Sequence, residues 1–147
     1  MRGYYIFTSG NRRDELGMLI PGDPVDWMNN LLDAGIWGGN DDTPSFMNLK
    51  KGDRVIVQSA DTGFVATATV KGGPRRTRKT ILRDRSCTHE VGLTVRRFRT
   101  SVPRTAALRR RISRANGDRP ISATWANYFR TGIRPICKPV FDAIASR

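Results

Sequence analysis

The sequence predicts an α+β fold: a small β-barrel with an aromatic pocket at its mouth and helices packed around it. Three observations carry this. Trp37 stands among glycines in the run Gly35-Ile36-Trp37-Gly38-Gly39-Asn40. A Lys50-Lys51-Gly52-Asp53 turn leads into an apolar stretch at 55–59. A second apolar stretch, 64–70, follows after the short loop Ala60-Asp61-Thr62-Gly63.

The elements follow in order. Residues 4–8, Tyr-Tyr-Ile-Phe-Thr, are aromatic and β-branched and read as a strand. Residues 9–15 are polar and read as a loop. Asp23-Pro24 suits a helix start, because Asp accepts from free amides and Pro fits the first turn. Trp27, Met28, Leu31 and Leu32 then fall on one face, and Gly35 stops the helix. Residues 36–48 read as a loop carrying Trp37, Asp41, Asp42, Pro44 and Phe46. The stretches 55–59 and 64–70 read as an antiparallel pair. In the second, Phe64, Ala66, Ala68 and Val70 share one face and Val65, Thr67 and Thr69 the other.

Residues 72–86 form a basic loop dense in phosphate-type contacts. Residues 90–98 read as a strand with Val91, Leu93 and Val95 inward, and 104–114 as a helix with Ala107, Leu108 and Ile112 against the body. Arg109, Arg110, Arg111 and Arg114 point away from it. Asn116-Gly117 marks a turn, and 124–130 a short helical stretch with Trp125, Tyr128 and Phe129. A last strand at 133–138 carries Pro135, which assigns it to an edge or a bulge. A closing helix at 139–145 buries Val140, Phe141 and Ile144. With no internal repeat and no linker, residues 1–147 read as one domain.

Charge narrows the partners. The net charge is +13, and it is unevenly placed. Residues 1–70 carry six Lys or Arg against nine Asp or Glu, whereas residues 71–147 carry twenty against four. Only five of the basic residues are lysine, and the other twenty-one are arginine. Arginine offers a planar fork that fits phosphate and stacks on bases. Codon bias raises the Arg to Lys ratio but does not explain the asymmetry between halves. A basic surface of this kind is the electrostatic footprint of nucleic-acid binding.

Other classes find little support. No stretch approaches the roughly 20 apolar residues that span a bilayer. The apolar run at the N-terminus is too short for a secretory signal, so the expected location is cytoplasmic. Cys87 and Cys137 do not make a disulfide framework, and Cys87-Thr88-His89 does not complete a four-ligand zinc site from Cys and His. His89 is the one histidine, without an evident nucleophile and orienting partner. There is no phosphate-cradling or dinucleotide-binding glycine motif. Asp41-Asp42 suits a divalent cation, but paired loop aspartates are commonly turn residues. No cofactor and no metal are expected, and the chain reads as non-enzymatic.

Taken together, these pieces resemble the EVE family of the PUA-like superfold, whose relatives include the ASCH, YTH and SRA-type base readers. The resemblance rests on the aromatic strand at 4–8, on Trp37-Gly38 and on Leu49-Lys50-Lys51-Gly52-Asp53-Arg54-Val55. It also rests on the strand at 64–70, and on Phe129-Arg130-Thr131-Gly132-Ile133-Arg134-Pro135-Ile136 before the last helix. The chain departs from the family pattern after the first strand, where it has Thr8-Ser9-Gly10, and after the Trp loop. The resemblance implies a PUA-like twisted β-barrel of five or six strands with flanking helices, holding a modified or extruded base in an aromatic pocket.

The expected function is therefore a nucleic-acid-binding module for DNA or RNA. Ser9, Trp37, Gly38, Asn40, Asn48, Phe64 and Trp125 are the pocket candidates. Arg75, Arg76, Arg78, Lys79, Arg83, Arg96, Arg97, Arg109, Arg110, Arg130 and Arg134 are the backbone candidates. Two alternatives stand beside it: a small metal-dependent nuclease or nucleotide-processing enzyme using Asp41, Asp42 and His89, and a basic protein-interaction module with an empty barrel.

Overall fold

The computed structural model describes residues 2–9, 24–40, 43, 45–59, 63–77, 87–117 and 132–146. The loop expected after Ser9, the capping Asp23 and the helical stretch 124–130 lie outside them. The described elements, in chain order, are β1 (Tyr4–Ser9), α1 (Pro24–Ala34), β2 (Ile36–Gly39), β3 (Arg54–Ser59) and β4 (Gly63–Val70). They continue with β5 (Arg75–Arg76), β6 (His89–Val102), α2 (Ala106–Ala115), β7 (Gly132–Pro135) and α3 (Lys138–Ala145). A single 3-10 turn covers Phe46–Asn48.

The strands form one mixed sheet in the order β2-β6-β4-β3-β1-β7, with β5 laid against β6. β1 and β3 run parallel, and every other pairing is antiparallel. The sheet is strongly curled, as one contact demonstrates. Trp37 on β2 and Phe7 on β1 have ring centroids 5.4 Å apart. Three strands separate β2 from β1, so a flat sheet would hold them about 19 Å apart at the usual ~4.8 Å spacing. Only a half-barrel brings the two rings together.

Both faces are covered. On the concave side Phe7, Val55, Val57, Ala66, Ala68, Leu93 and Trp37 pack with Met28, Leu31 and Leu32 of α1. On the convex side Ile6, Ile56, Phe64 and Val102 pack with Leu108 and Ile112 of α2 and Val140, Phe141 and Ile144 of α3. β1 and β3 therefore read as continuous apolar runs, because alternate side chains meet different layers. The half-barrel with flanking helices is the α+β architecture that the sequence predicts.

α1 takes the expected course, and the Gly35 amide donates to the Leu32 carbonyl (3.1 Å) to close it. The Lys50-Asp53 turn is tied by Asp53, whose side chain is fully buried. Its carboxylate accepts from the amides of Gly3 (2.8 Å) and Lys50 (3.0 Å) and from the Lys50 ammonium (3.1 Å). Burial alone would raise its pKa. The two amides and the ammonium outweigh that and hold it below the usual carboxylate value.

Four local expectations are corrected. Residues 36–39, expected in a loop, form β2, because Ile36 to Gly39 pair with Gly92 to His89 of β6. β6 does not stop near Phe98 but continues to Val102. Ala107 is exposed, and the buried residues of α2 are Leu108 and Ile112, one turn apart. Phe64 does not share a face with Ala66. Val57 pairs with Ala66 while the adjacent Gln58 pairs with Phe64, so Val65 is an extra residue that turns Phe64 to the convex side.

Candidate nucleic-acid interface

The Trp37 side is built by β2 and the turn after it. Trp37 is 6% exposed and leans on Phe7. Phe46 lies so close to Gly39 that a Cβ there would stand 2.8 Å from its ring. The glycines around Trp37 thus admit a neighbouring aromatic ring and let β2 dock flat on β6. Asn40 follows at once, and its turn is tied by Thr43. The Asn40 amide donates to the Thr43 hydroxyl (3.0 Å), and that hydroxyl donates to Asn40 Oδ1 (3.3 Å). Asn48 is exposed, two residues beyond Phe46. Ser9 is buried at the end of β1, two residues past Phe7 and so on the same concave side. Trp37, Gly38 and Asn40 are thus neighbours at the end of β2, and Trp37 faces the concave core that Ser9 also faces. Phe64 is not among them, because the bulge carries it across the sheet. Trp125 lies outside the described residues.

The basic residues divide into three sets. Arg75 and Arg76 form β5, opposite Glu90 and His89 of β6. The other edge of those same two residues pairs with Gly38 and Gly39. The arginine pair therefore lies level with the glycines after Trp37, two strand spacings or about 10 Å away. Buried Glu90 positions this edge by accepting from Arg75 Nη2 (3.5 Å) and from the Thr77 hydroxyl (2.9 Å). The Arg75 side chain remains 66% exposed.

Arg97 belongs to a second set. Its guanidinium meets Asp33 (2.7 Å) and Asn29 Oδ1 (2.9 Å), which fastens β6 to α1. Arg96, Arg109, Arg110 and Arg134 make the third, on the convex side or on the helices that cover it. Arg78, Lys79, Arg83 and Arg130 lie outside the described residues, as do Asp41 and Asp42 of the enzyme alternative. His89 Nδ1 lies 2.8 Å from the Thr88 hydroxyl. Among the described residues, no three His, Cys, Asp or Glu side chains cluster for a metal.

Three further arginines gain a definite position only from the structure. Arg104 reaches back to the Ser59 carbonyl (3.0 Å) and Gln58 Oε1 (3.3 Å), while Gln58 donates to the Thr8 hydroxyl (2.8 Å). Arg54 lies over the Phe141 ring at 5.0 Å. Arg99 sits in the irregular part of β6. Alternation with Ile56 was a signal for Arg54, but only the position of α3 gives that face a meaning.

No protein-family model matches the sequence, and no match was found among curated proteins. Solved structures do match. The YTH domain of Zygosaccharomyces rouxii MRB1 protein in complex with N6-methyladenosine RNA aligns over 99% of this chain and 85% of its own, with 13% identity and a TM-score of 0.63. Human THYN1 protein in complex with 5-methylcytosine-containing DNA aligns over 98% and 96%, with 14% identity and a TM-score of 0.58. Rpa0253 from Rhodopseudomonas palustris aligns over 98% and 91%, with 15% identity and a TM-score of 0.58. The chain has the PUA-like fold of these domains. At such identities the likeness speaks for the fold.

Proposed function

We propose that this protein is a non-enzymatic nucleic-acid-binding module that reads a base, modified or extruded, on the concave side at Trp37. The observation that carries this is the position of Arg75 and Arg76, level with Gly38 and Gly39 across β6. It sets a cationic edge across β6 from the strand that carries Trp37, about 10 Å away. The solved complexes with methylated RNA and DNA support the ligand class.

The energetics are consistent with this reading. Extruding a base costs a few kcal/mol, and stacking on an aromatic side chain returns about 1–3 kcal/mol. We assign Trp37, braced by Phe7, the role of platform, and Ser9, Asn40 and Asn48 the reading of base edges. Arg78, Lys79 and Arg83 extend the Arg75-Arg76 run in sequence, and we assign them the same phosphate role. Trp125 and Arg130 keep their sequence-based assignments.

The test is a binding panel of modified and unmodified, single- and double-stranded oligonucleotides read by fluorescence anisotropy. Trp37→Leu keeps an apolar side chain in the core. It should erase discrimination between bases while bulk affinity stays within about 3-fold, since phosphate contacts dominate affinity. A folded Trp37→Leu protein that discriminates as well as the native one refutes base reading at Trp37.

A further inference from the structure

The convex side holds a second basic feature, separate from the Trp37 region. Between Ala66, paired with Arg97, and Phe64, paired with Val102, β4 has one residue and β6 has four. β6 therefore arches away from the sheet over residues 98–101. An open cleft of about 650 Å³ lies beneath the arch, bounded by Thr67 on β4 and Ala145 at the end of α3. Arg54, Arg96, Arg97, Arg99, Thr100 and Ser101 line it.

Of these arginines Arg97 is ion-paired, and among the described residues the other three are not. Lys50, Arg75, Arg97 and Lys138 each meet a carboxylate. Among the described residues, no carboxylate lies within ion-pair distance of Arg54, Arg96 or Arg99. Arg54 is fixed by its stacking on Phe141, and its Nε is buried with no hydrogen-bond partner. An unpaired buried donor on a charged group is costly, and converging like charges add to the cost. An anion in the cleft offsets the crowding of like charge.

We propose that this cleft is a phosphate-binding site, in which Arg54, Arg96 and Arg99 meet the phosphate oxygens and the hydroxyls of Thr67, Thr100 and Ser101 supply further donors. Guanidinium forks match phosphate geometry in a way that a single ammonium does not. The cleft is within the size range of small-ligand pockets, so it accommodates a nucleotide as readily as the end of a strand. The phosphate can arrive on a free nucleotide or on a nucleic-acid strand, and the two sources share this chemistry.

The experiment is calorimetric titration at low salt with inorganic phosphate, a 5′-phosphorylated trinucleotide and the same trinucleotide without its 5′-phosphate. The expected result is saturable phosphate binding that falls at least tenfold in Arg96→Ala/Arg99→Ala, two exposed positions where folding is unaffected. Arg54→Met, which keeps the apolar stem over Phe141, should fall similarly. Arg111→Ala/Arg114→Ala, which removes the same charge from α2, should change binding less than threefold. Preference for the 5′-phosphorylated trinucleotide identifies a terminal phosphate or free nucleotide, and equal binding of both identifies the strand backbone. The proposal is overturned if phosphate does not saturate, or if the cleft and α2 double variants weaken binding equally. Trp37→Leu should leave phosphate affinity unchanged, so the two readings fail independently.

Discussion

Replacing Asp53 with Asn should destabilise the fold by about 2–3 kcal/mol, and the structure says where that comes from. Asp53 Oδ1 accepts from the Gly3 amide and the Lys50 ammonium, while Oδ2 accepts from the Lys50 amide. Asn keeps one acceptor, which can still serve Gly3. Its amide nitrogen then confronts the Lys50 N–H, donor against donor, inside a side chain with no solvent exposure. Losing a hydrogen bond to a charged group costs about 1.5–3 kcal/mol, whereas the ion pair adds little because Lys50 is half exposed. In a domain of this length the loss should lower Tm by roughly 5–10 °C.

The pH dependence follows from the depressed pKa of Asp53 in the folded state. A group held below its unfolded value of about 3.9 contributes its full stability above that pH. The contribution disappears as pH falls through the folded value. Urea unfolding followed by tryptophan fluorescence should show a constant gap between native and D53N proteins from pH 7 to about pH 5, narrowing below pH 4. A gap under 0.5 kcal/mol at pH 7, or one that stays constant to pH 2, refutes the role assigned to this carboxylate.

Other outcomes are equally specific. Gly63 has φ +84°, and a Cβ there would stand 2.3 Å from the Val102 carbonyl, so Gly63→Ala should cost about 3 kcal/mol in urea titration. Arg75→Ala/Arg76→Ala should weaken oligonucleotide binding for every sequence alike and flatten the log Kd against log salt slope by about 1 per arginine that meets a phosphate. Asp142→Ala removes the partner of Lys138 on α3, but both side chains are exposed, so Tm should move by less than about 2 °C.

Much of the architecture is legible in local pattern. α1 and α3 follow from the spacing of Met28, Leu31 and Leu32 and of Val140, Phe141 and Ile144. β1, β3 and β4 follow from short apolar and β-branched runs bounded by turns. β2 is not legible, because Ile-Trp-Gly-Gly has too little strand character and becomes a strand only by pairing with β6. The far half of β6 is hidden for a similar reason, since its polar run resembles a loop until Val102 pairs with Phe64.

For the site, the sequence by itself determined the chemistry. It placed an aromatic among glycines, put all the excess positive charge after residue 70, and chose arginine as the carrier. Only the tertiary structure decided which of these residues meet. Pairing on both edges of His89 and Glu90 sets Arg75 and Arg76 across β6 from the Trp37 strand, and a single extra residue at Val65 turns Phe64 to the convex side. The reason is physical. Side-chain type is local, but the face a side chain occupies depends on register, and one bulge inverts the alternation of everything beyond it.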